Sequence, residues 1–334
     1  MPKDENSESR LPEQYRFSHD YCLFLYDILV EILKSGEKAR IFANVEIEFK
    51  DAEQAQAFED ASPKDEALFQ WLENNGFDAD LDWFTYKHAI VALLADYCQF
   101  MLAALRCSEK GNLTVAFALL RKPLRENLFL FEWLLHDSKD FITTFRKTGA
   151  DALDERIRKK KGKLELMHAI TTKIKHGSRF NADLMYRLRY EATETHGFER
   201  VWNQATHLVT TFKDMETETH NFNFIFSGEK QRISQWNLIY LRLPVLLDYT
   251  VDVVEALVAT LAKRESEDSM DMRRLAGMYL WAKKFVDKEL GVTTSALKTK
   301  SHCDQCHTDS EIEDEDMEVL YEYGTIPCPN CLAV

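Results

Sequence analysis

The chain has 334 residues, 45% apolar and 12% aromatic, with a formal net charge of −14. That apolar content supports a sizeable core and excludes a wholly disordered chain, while the negative balance excludes indiscriminate nucleic-acid binding, which needs clustered Lys and Arg. With 11 Gly and 7 Pro there are too few turn residues for an all-β sandwich or barrel, and an all-α fold is expected.

Residues 1–12 read as a solvated tail without the apolar core of a secretion signal, which points to a cytoplasmic protein. An apolar helix is expected over 13–35, stopped by Gly36. Ser62, Pro63 and Asp65 have the order of an N-cap, a first-turn proline and a capping acid, opening a short helix that closes at Asn74-Asn75-Gly76. Residues 80–109 place Trp83, Ile90, Leu94, Tyr97, Met101 and Leu105 at helical spacing, and Gly111-Asn112 ends the run. The short connection makes the next helix, 113–136, antiparallel to it, and Pro123 should kink it by freeing the Leu119 carbonyl. Ser138 then caps a helix through Lys147.

A helix with a basic outer face is predicted over 151–176, followed by shorter ones over 182–192 and 198–212 and a loop over 221–226. The longest predicted helix is 229–263, kinked near Pro244, and another covers 272–290. Residues 13–290 thus form one helical domain, and 291–300 reads as a linker to a separate module at 301–334. The most apolar stretches, 89–105 and 238–261, carry Asp96 and Arg242, Asp248, Asp252 and Glu255, which suits core helices and not membrane spans.

Cys303 and Cys306 form one C-x2-C pair, Cys328 and Cys331 a second, 21 residues apart. Each such turn aims two thiolates at one ion, and two of them close a tetrahedral four-cysteine shell, so one structural Zn²⁺ is predicted in a zinc ribbon, with a strand over 318–326 between the pairs. Cys22, Cys98 and Cys107 sit in apolar runs and are read as small buried hydrophobes. Charge is segregated: residues 145–189 hold 13 Lys or Arg against 5 Asp or Glu, while 301–334 hold nine acids and no Lys or Arg. The acidic module should therefore bind protein rather than phosphate, and its opposite charge predicts docking, in cis or on a neighbouring subunit, against 145–189.

Residues 119–128, which include Arg121, Pro123 and Glu126, and the following Glu132-Trp133-Leu134-Leu135 resemble the second core helix of HEPN-like proteins of the uncharacterised and phage-abortive-infection type. Residues 199–209 resemble that family's R-x(4 to 6)-H helix, with Arg200 and His207; Arg189 and His196 make a second match. The resemblance spans about 80–262 and implies a multi-helix bundle acting as a homodimeric, metal-independent endoribonuclease, or a degenerate relative, in stress or phage defence. It would make His207 the acid or base and Arg200 the stabiliser of phosphorane charge, supported by Arg121 and Glu126. RNA contact would fall to the basic residues 156–163. Two other classes stand beside it: a non-enzymatic adaptor whose acidic zinc ribbon binds protein, and a small-ligand sensor with a pocket between the proline-kinked helices.

Overall fold

The apolar period of the two longest helical runs determines what lies at the centre. The computed structural model describes residues 9–42, 47–61, 65–147, 153–154, 160–211, 216–224, 227–262, 268–286 and 300–332. Among these, nearly all regular structure is helical: α1 (Arg16–Lys38), α2 (Ala52–Ala61), α3 (Asp65–Asn74), α4 (Asp78–Glu109), α5 (Leu113–Arg121), α6 (Leu128–His136), α7 (Ser138–Lys147), α8 (Lys160–Thr171), α9 (Ala182–Tyr190), α10 (Phe198–Thr206), α11 (Glu229–Tyr240), α12 (Leu243–Ala259), α13 (Asp268–Trp281) and α14 (Asp314–Tyr323). Strand is limited to an antiparallel hairpin of β1 (Lys300–His302) and β2 (Asp309–Glu311), with Ser301 opposite Ser310. The all-α expectation holds at this level. Ser62 and Pro63, expected to open α3, most of the N-terminal tail and the linker expected over 291–300, except its last residue, lie outside the described residues.

The core is built by α1, α4, α5–α6 and α12, packed on one another. Leu246, Leu247, Tyr249, Val251, Val253 and Val254 of α12 are all fully buried, so this helix is enclosed on every side. The first helix belongs to the same core, through Tyr21, Cys22, Leu25 and Leu29, so the packed unit begins well before residue 80. In α4, Ile90, Leu94, Tyr97, Met101 and Leu105 are buried as their spacing predicts, whereas Trp83 is 39% exposed. It lies in the first turns, beyond the reach of the core, and stacks on Tyr86 at 5.6 Å. α4 has the length and mean hydropathy (1.6) of a membrane span, but its Ile90, Leu94, Tyr97 and Met101 are covered by the protein itself. Cys22 and Cys98 are buried and Cys107 half-buried, and burial pushes the Cys98 thiol up to about 12.

The prolines act as local chemistry requires, with different outcomes. At Pro123 the chain continues from α5 to α6 through a π-helical segment, Lys122–Asn127, in which the Leu128 N–H donates to the Pro123 carbonyl five residues back. Widening the turn accommodates the ring without ending the helix. At Pro244 the predicted kink is a full break: α11 ends at Tyr240 and α12 restarts at Leu243, with Pro244 in its first turn, where a missing N–H costs nothing. The Tyr240 carbonyl accepts a 2.8 Å bond from the Trp281 indole at the end of α13. Smaller differences concern boundaries. Gly36 does not stop α1, which runs on to Lys38, and the side chain capping α7 is Asp137, whose Oδ1 accepts the Asp140 N–H at 2.9 Å.

His19 of α1 is buried with Nδ1 2.9 Å from the Tyr240 hydroxyl. Burial lowers its pKa from the usual 6.5, against the opposing pull of Glu109 and Asp20. A depressed folded value means that its contribution is complete above the unfolded pKa and is lost as pH falls through the folded one. Urea midpoints are therefore expected to fall between about pH 7.5 and about pH 5.5, with a shallower fall in His19→Gln. An unchanged slope in that variant would show that His19 does not carry the effect.

Candidate metal centre

Residues 300–332 build the C-terminal module in three steps. The hairpin of β1 and β2 turns at the first C-x2-C pair, where the Cys303 N–H donates to the Thr308 carbonyl and the His307 N–H to the Cys303 carbonyl. A helix follows where a strand was predicted. Glu313 and Asp316 form a reciprocal capping box, and Asp314, Glu315 and Asp316 place negative charge in the first turn of α14. Those start signals, with Met317, Leu320 and Tyr321 at helical spacing, outweigh the strand preference of Val319, Tyr321 and Tyr323. Gly324 ends α14 in the left-handed region at φ 77°, its N–H on the Leu320 carbonyl, and leads the chain to the second pair.

The four cysteines meet. Cys303, Cys306, Cys328 and Cys331 hold their sulfurs within 4.8 Å of one another. The Cys303–Cys331 sulfurs are 3.5 Å apart and the Cys306–Cys328 sulfurs 3.6 Å, and none of the four is joined in a disulfide. Metal–sulfur bonds of about 2.3 Å put tetrahedral sulfurs about 3.8 Å apart, so the arrangement fits one metal ion. Hydrogen bonds, that of Thr308 first and Asn330 next, bring the Cys306 thiol down to about 6. A site that favours the thiolate favours metal. His302 and His307 stay outside it: His302 Nδ1 lies 2.6 Å from Asp309 Oδ1.

The module is fastened to the helical body. Ile312, Met317 and Leu320 bury against Ala276, Tyr279 and Leu280 of α13. Tyr321 enters an aromatic group with Phe17, Tyr21 and Phe24 of α1, at ring distances of 5.5, 6.0 and 5.7 Å. Close approach is allowed by Gly277, where a Cβ would run into the Tyr21 ring. Arg273 Nε donates to the Tyr321 carbonyl at 2.8 Å, and Lys283 Nζ to Asp314 at 2.5 Å. Within the chain the module thus docks on α13 and α1, where apolar burial rather than net charge decides the surface, and this packing bears only on the in-cis form of the predicted docking on 145–189.

The residues expected to carry catalysis are arranged differently from that constellation. Arg200 is exposed on α10 and lines a cavity of about 260 Å³ together with the carboxylates Glu216 and Glu218 and the amides of Gln204, Asn221, Asn223 and Gln231. His207 is not inside a helix: it is the C-cap of α10, exposed, and is not among that cavity's lining residues. The link between them is Asn223, whose Nδ2 donates to the His207 carbonyl at 2.8 Å. Arg121 and Glu126, expected to support them, form a half-buried 3.4 Å ion pair with each other, their side chains 31% and 42% exposed.

The buried pair is a different one, Arg189 with Glu132 at 2.5 Å, both fully buried. Arg189 Nε also donates to the Leu124 carbonyl, and Tyr249 donates to Glu132 at 2.9 Å. Leu124 lies in the π segment, so the polar interruption in the apolar helix serves internal pairing. Arg189 is sealed away from its motif partner His196, which is exposed. Arg125, from the same segment, pairs with Glu199 and ties α10 to the kinked helix. Of the basic run, Arg156, Arg158 and Lys159 lie outside the described residues, and Lys163 is buried with Nζ 4.1 Å from the Tyr190 ring centre.

A second buried centre had no sequence motif to announce it. Arg274 of α13, fully buried, is 2.8 Å from Asp248 and 2.6 Å from Asp252 of α12 and 3.1 Å from Glu255. His176 adds its backbone N–H to Asp252 at 3.0 Å and its Nδ1 at 3.1 Å. Burial pushes the Asp252 carboxyl up, but His176 and Arg274 outweigh it and hold the group below the usual 3.8. The signal available in sequence was the acid spacing in an apolar helix, Asp248, Asp252 and Glu255, which places all three on one face. Compared with known proteins, the chain matches no family model, no curated protein and no solved structure.

Proposed function

We propose that this chain is a helical adaptor whose C-terminal module, closed around one structural Zn²⁺, binds a basic protein surface through the outer face of α14. The ion assignment follows from the donors: four thiolates fill a tetrahedral shell and leave no position for a reacting water. Cysteines kept as thiolates suit a reducing, cytoplasmic setting. The binding reading rests on one observation. While Met317 and Leu320 are used against α13, Val319 and Tyr323 stand 40% and 67% exposed one turn apart, bordered by exposed Glu315, Glu318 and Glu322. An apolar centre with a rim of one charge suits a partner with apolar anchors among Lys and Arg.

The experiment is fluorescence anisotropy with a labelled amphipathic Lys/Leu peptide, comparing the wild-type chain with Val319→Ser/Tyr323→Ser, which leaves the module's charge intact. Loss of a tyrosine anchor is expected to weaken binding by about tenfold or more. Equal affinity would reduce the interaction to net charge and contradict the proposal.

A second reading, the HEPN-like endoribonuclease, is favoured by the Asn223 link between the cavity that holds Arg200 and the His207 carbonyl, although Glu216 and Glu218 line the same cavity and oppose an anion there. It would place phosphate on Arg200 and require His207 to reach the same substrate, with a second copy of the chain completing the site. RNA cleavage in EDTA that disappears in His207→Ala would support it; cleavage unaffected by the substitution, or none in either protein, would remove it.

A further inference from the structure

The four cysteine sulfurs differ in what can reach them. Cys331 is exposed and Cys303 half-buried, and their sulfurs approach to 3.5 Å. Cys328 is only 6% exposed, and Cys306 is half-buried with its Sγ 3.4 Å from the Thr308 hydroxyl. The sulfurs of these two approach to 3.6 Å. Both approaches run between the two C-x2-C turns. The site therefore has an outer pair, Cys303 with Cys331, and an inner pair, Cys306 with Cys328.

The outer pair has the geometry for a reversible oxidation. A disulfide holds its sulfurs about 2.05 Å apart, so a closing movement of about 1.5 Å would join Cys303 to Cys331. The thiolate is the reactive form of a cysteine, and exposure decides which thiolate an oxidant meets first. Here that is Cys331. Charge narrows the class of oxidant: residues 301–334 hold nine acids and no Lys or Arg, so anionic oxidants are repelled while a small neutral peroxide is not.

We infer that Cys331 and Cys303 are a peroxide-sensitive modification site, where oxidation joins the two C-x2-C turns by a disulfide and releases the metal. Peroxide transfers an oxygen to the Cys331 thiolate as its O–O bond breaks, leaving a sulfenic acid and one hydroxide. The Cys303 thiolate then attacks that sulfur, forming the S–S bond and expelling a second hydroxide. Two thiolates and one hydrogen peroxide thus give one disulfide and two hydroxides, and a dithiol reverses the change. Only Cys306 and Cys328 then remain as donors, too few for a tetrahedral shell. The release of metal rests on the Zn²⁺ reading above, whereas the choice of sulfur pair rests on the chain alone.

The test treats the full chain as purified with hydrogen peroxide, follows zinc release with a chromogenic chelator and maps the disulfide by mass spectrometry. Residues 301–334 contain no Lys or Arg, so trypsin leaves both turns in one peptide, whereas cleavage after Glu311 and Glu322 separates them. Unreduced fragments should stay joined through Cys303 and Cys331, and loss of one Zn²⁺ per chain should keep pace with that link. Dithiothreitol with added Zn²⁺ should reverse both changes. Dimedone present during oxidation should label Cys331 several-fold more than Cys328. Fragments that separate, as links within either C-x2-C turn would make them, or a link through Cys306 and Cys328, would overturn the inference. So would equal dimedone labelling of Cys331 and Cys328, or zinc retained by chains that carry the link. A chain purified without zinc would refute the metal reading, and the joined or separated fragments would still decide the sulfur pair.

Discussion

Replacing Cys306 with Ser is expected to abolish metal retention and to unfold residues 300–332 while leaving the α1–α12 core intact. The hairpin has three residues per strand, and α14 has ten residues, too short to persist alone. The module's own buried apolar side chains are Ile312, Met317 and Leu320. Each is worth about 1.5–3 kcal/mol on burial, whereas a structural Zn²⁺ supplies about 10–16 kcal/mol of apparent binding free energy to a small module. On the proposed Zn²⁺ assignment, the metal would therefore dominate. Hydrogen exchange should show loss of protection across 300–332 and increased exchange on α13 around Tyr279 and Leu280, whose cover departs with α14. Retained protection in Cys306→Ser would mean that apolar docking alone holds the module.

The second large effect is expected from Arg274→Met. The substitution preserves bulk but leaves Asp248 and Asp252, both essentially without exposure, facing each other without their cation. Removing one partner of a buried ionic group costs about 3–5 kcal/mol. The pH dependence identifies the cause. In the wild type Asp252 is held below 3.8, so its stabilisation is complete at neutral pH and is lost as pH falls through that depressed value. Asp248 already lies above its usual value because burial exceeds the compensation from Arg274. Without Arg274, burial raises the Asp248 value further, while Asp252 keeps its two bonds from His176, and stability is then lost as pH rises through the Asp248 value. Urea midpoints of the variant should consequently rise from about pH 7 to about pH 5, opposite in sign to the wild type, and Asp248→Asn should recover part of the loss. A variant midpoint that falls on acidification would contradict the assignment.

The helical architecture was legible because its signals are local. Spacing placed Leu94, Tyr97 and Met101 in the core, Gly111 separated α4 from α5, and the two C-x2-C pairs singled out the four cysteines that meet. What remained hidden was decided by tertiary contact. Proline disfavours a regular helix but does not choose between the widened turn at Pro123 and the break at Pro244; the Trp281 indole, donating to the Tyr240 carbonyl, favours the break. The strand predicted between the cysteine pairs relied on Val319, Tyr321 and Tyr323, although Glu313 and Asp316 already carried a capping box. The ion pairs were the least legible. Arg189 and Glu132 are 57 residues apart, and Arg274 and Asp248 26 apart, distances at which charge pattern along a chain does not name a partner. Likewise, Arg200 and His207 satisfy a spacing, yet the end of α10 at Thr206 places His207 in a cap and not inside the helix that carries Arg200.

If metal builds the face of α14 that binds, peptide affinity must follow metal content. It should therefore be measured on one preparation as purified, after removal of Zn²⁺ by a chelator, and after its return. The prediction is one Zn²⁺ per chain, loss of Lys/Leu-peptide binding with the metal, and recovery on restoring it. Peptide affinity that survives complete removal of the metal would contradict this dependence, because the acidic residues would then be acting without the folded face of α14.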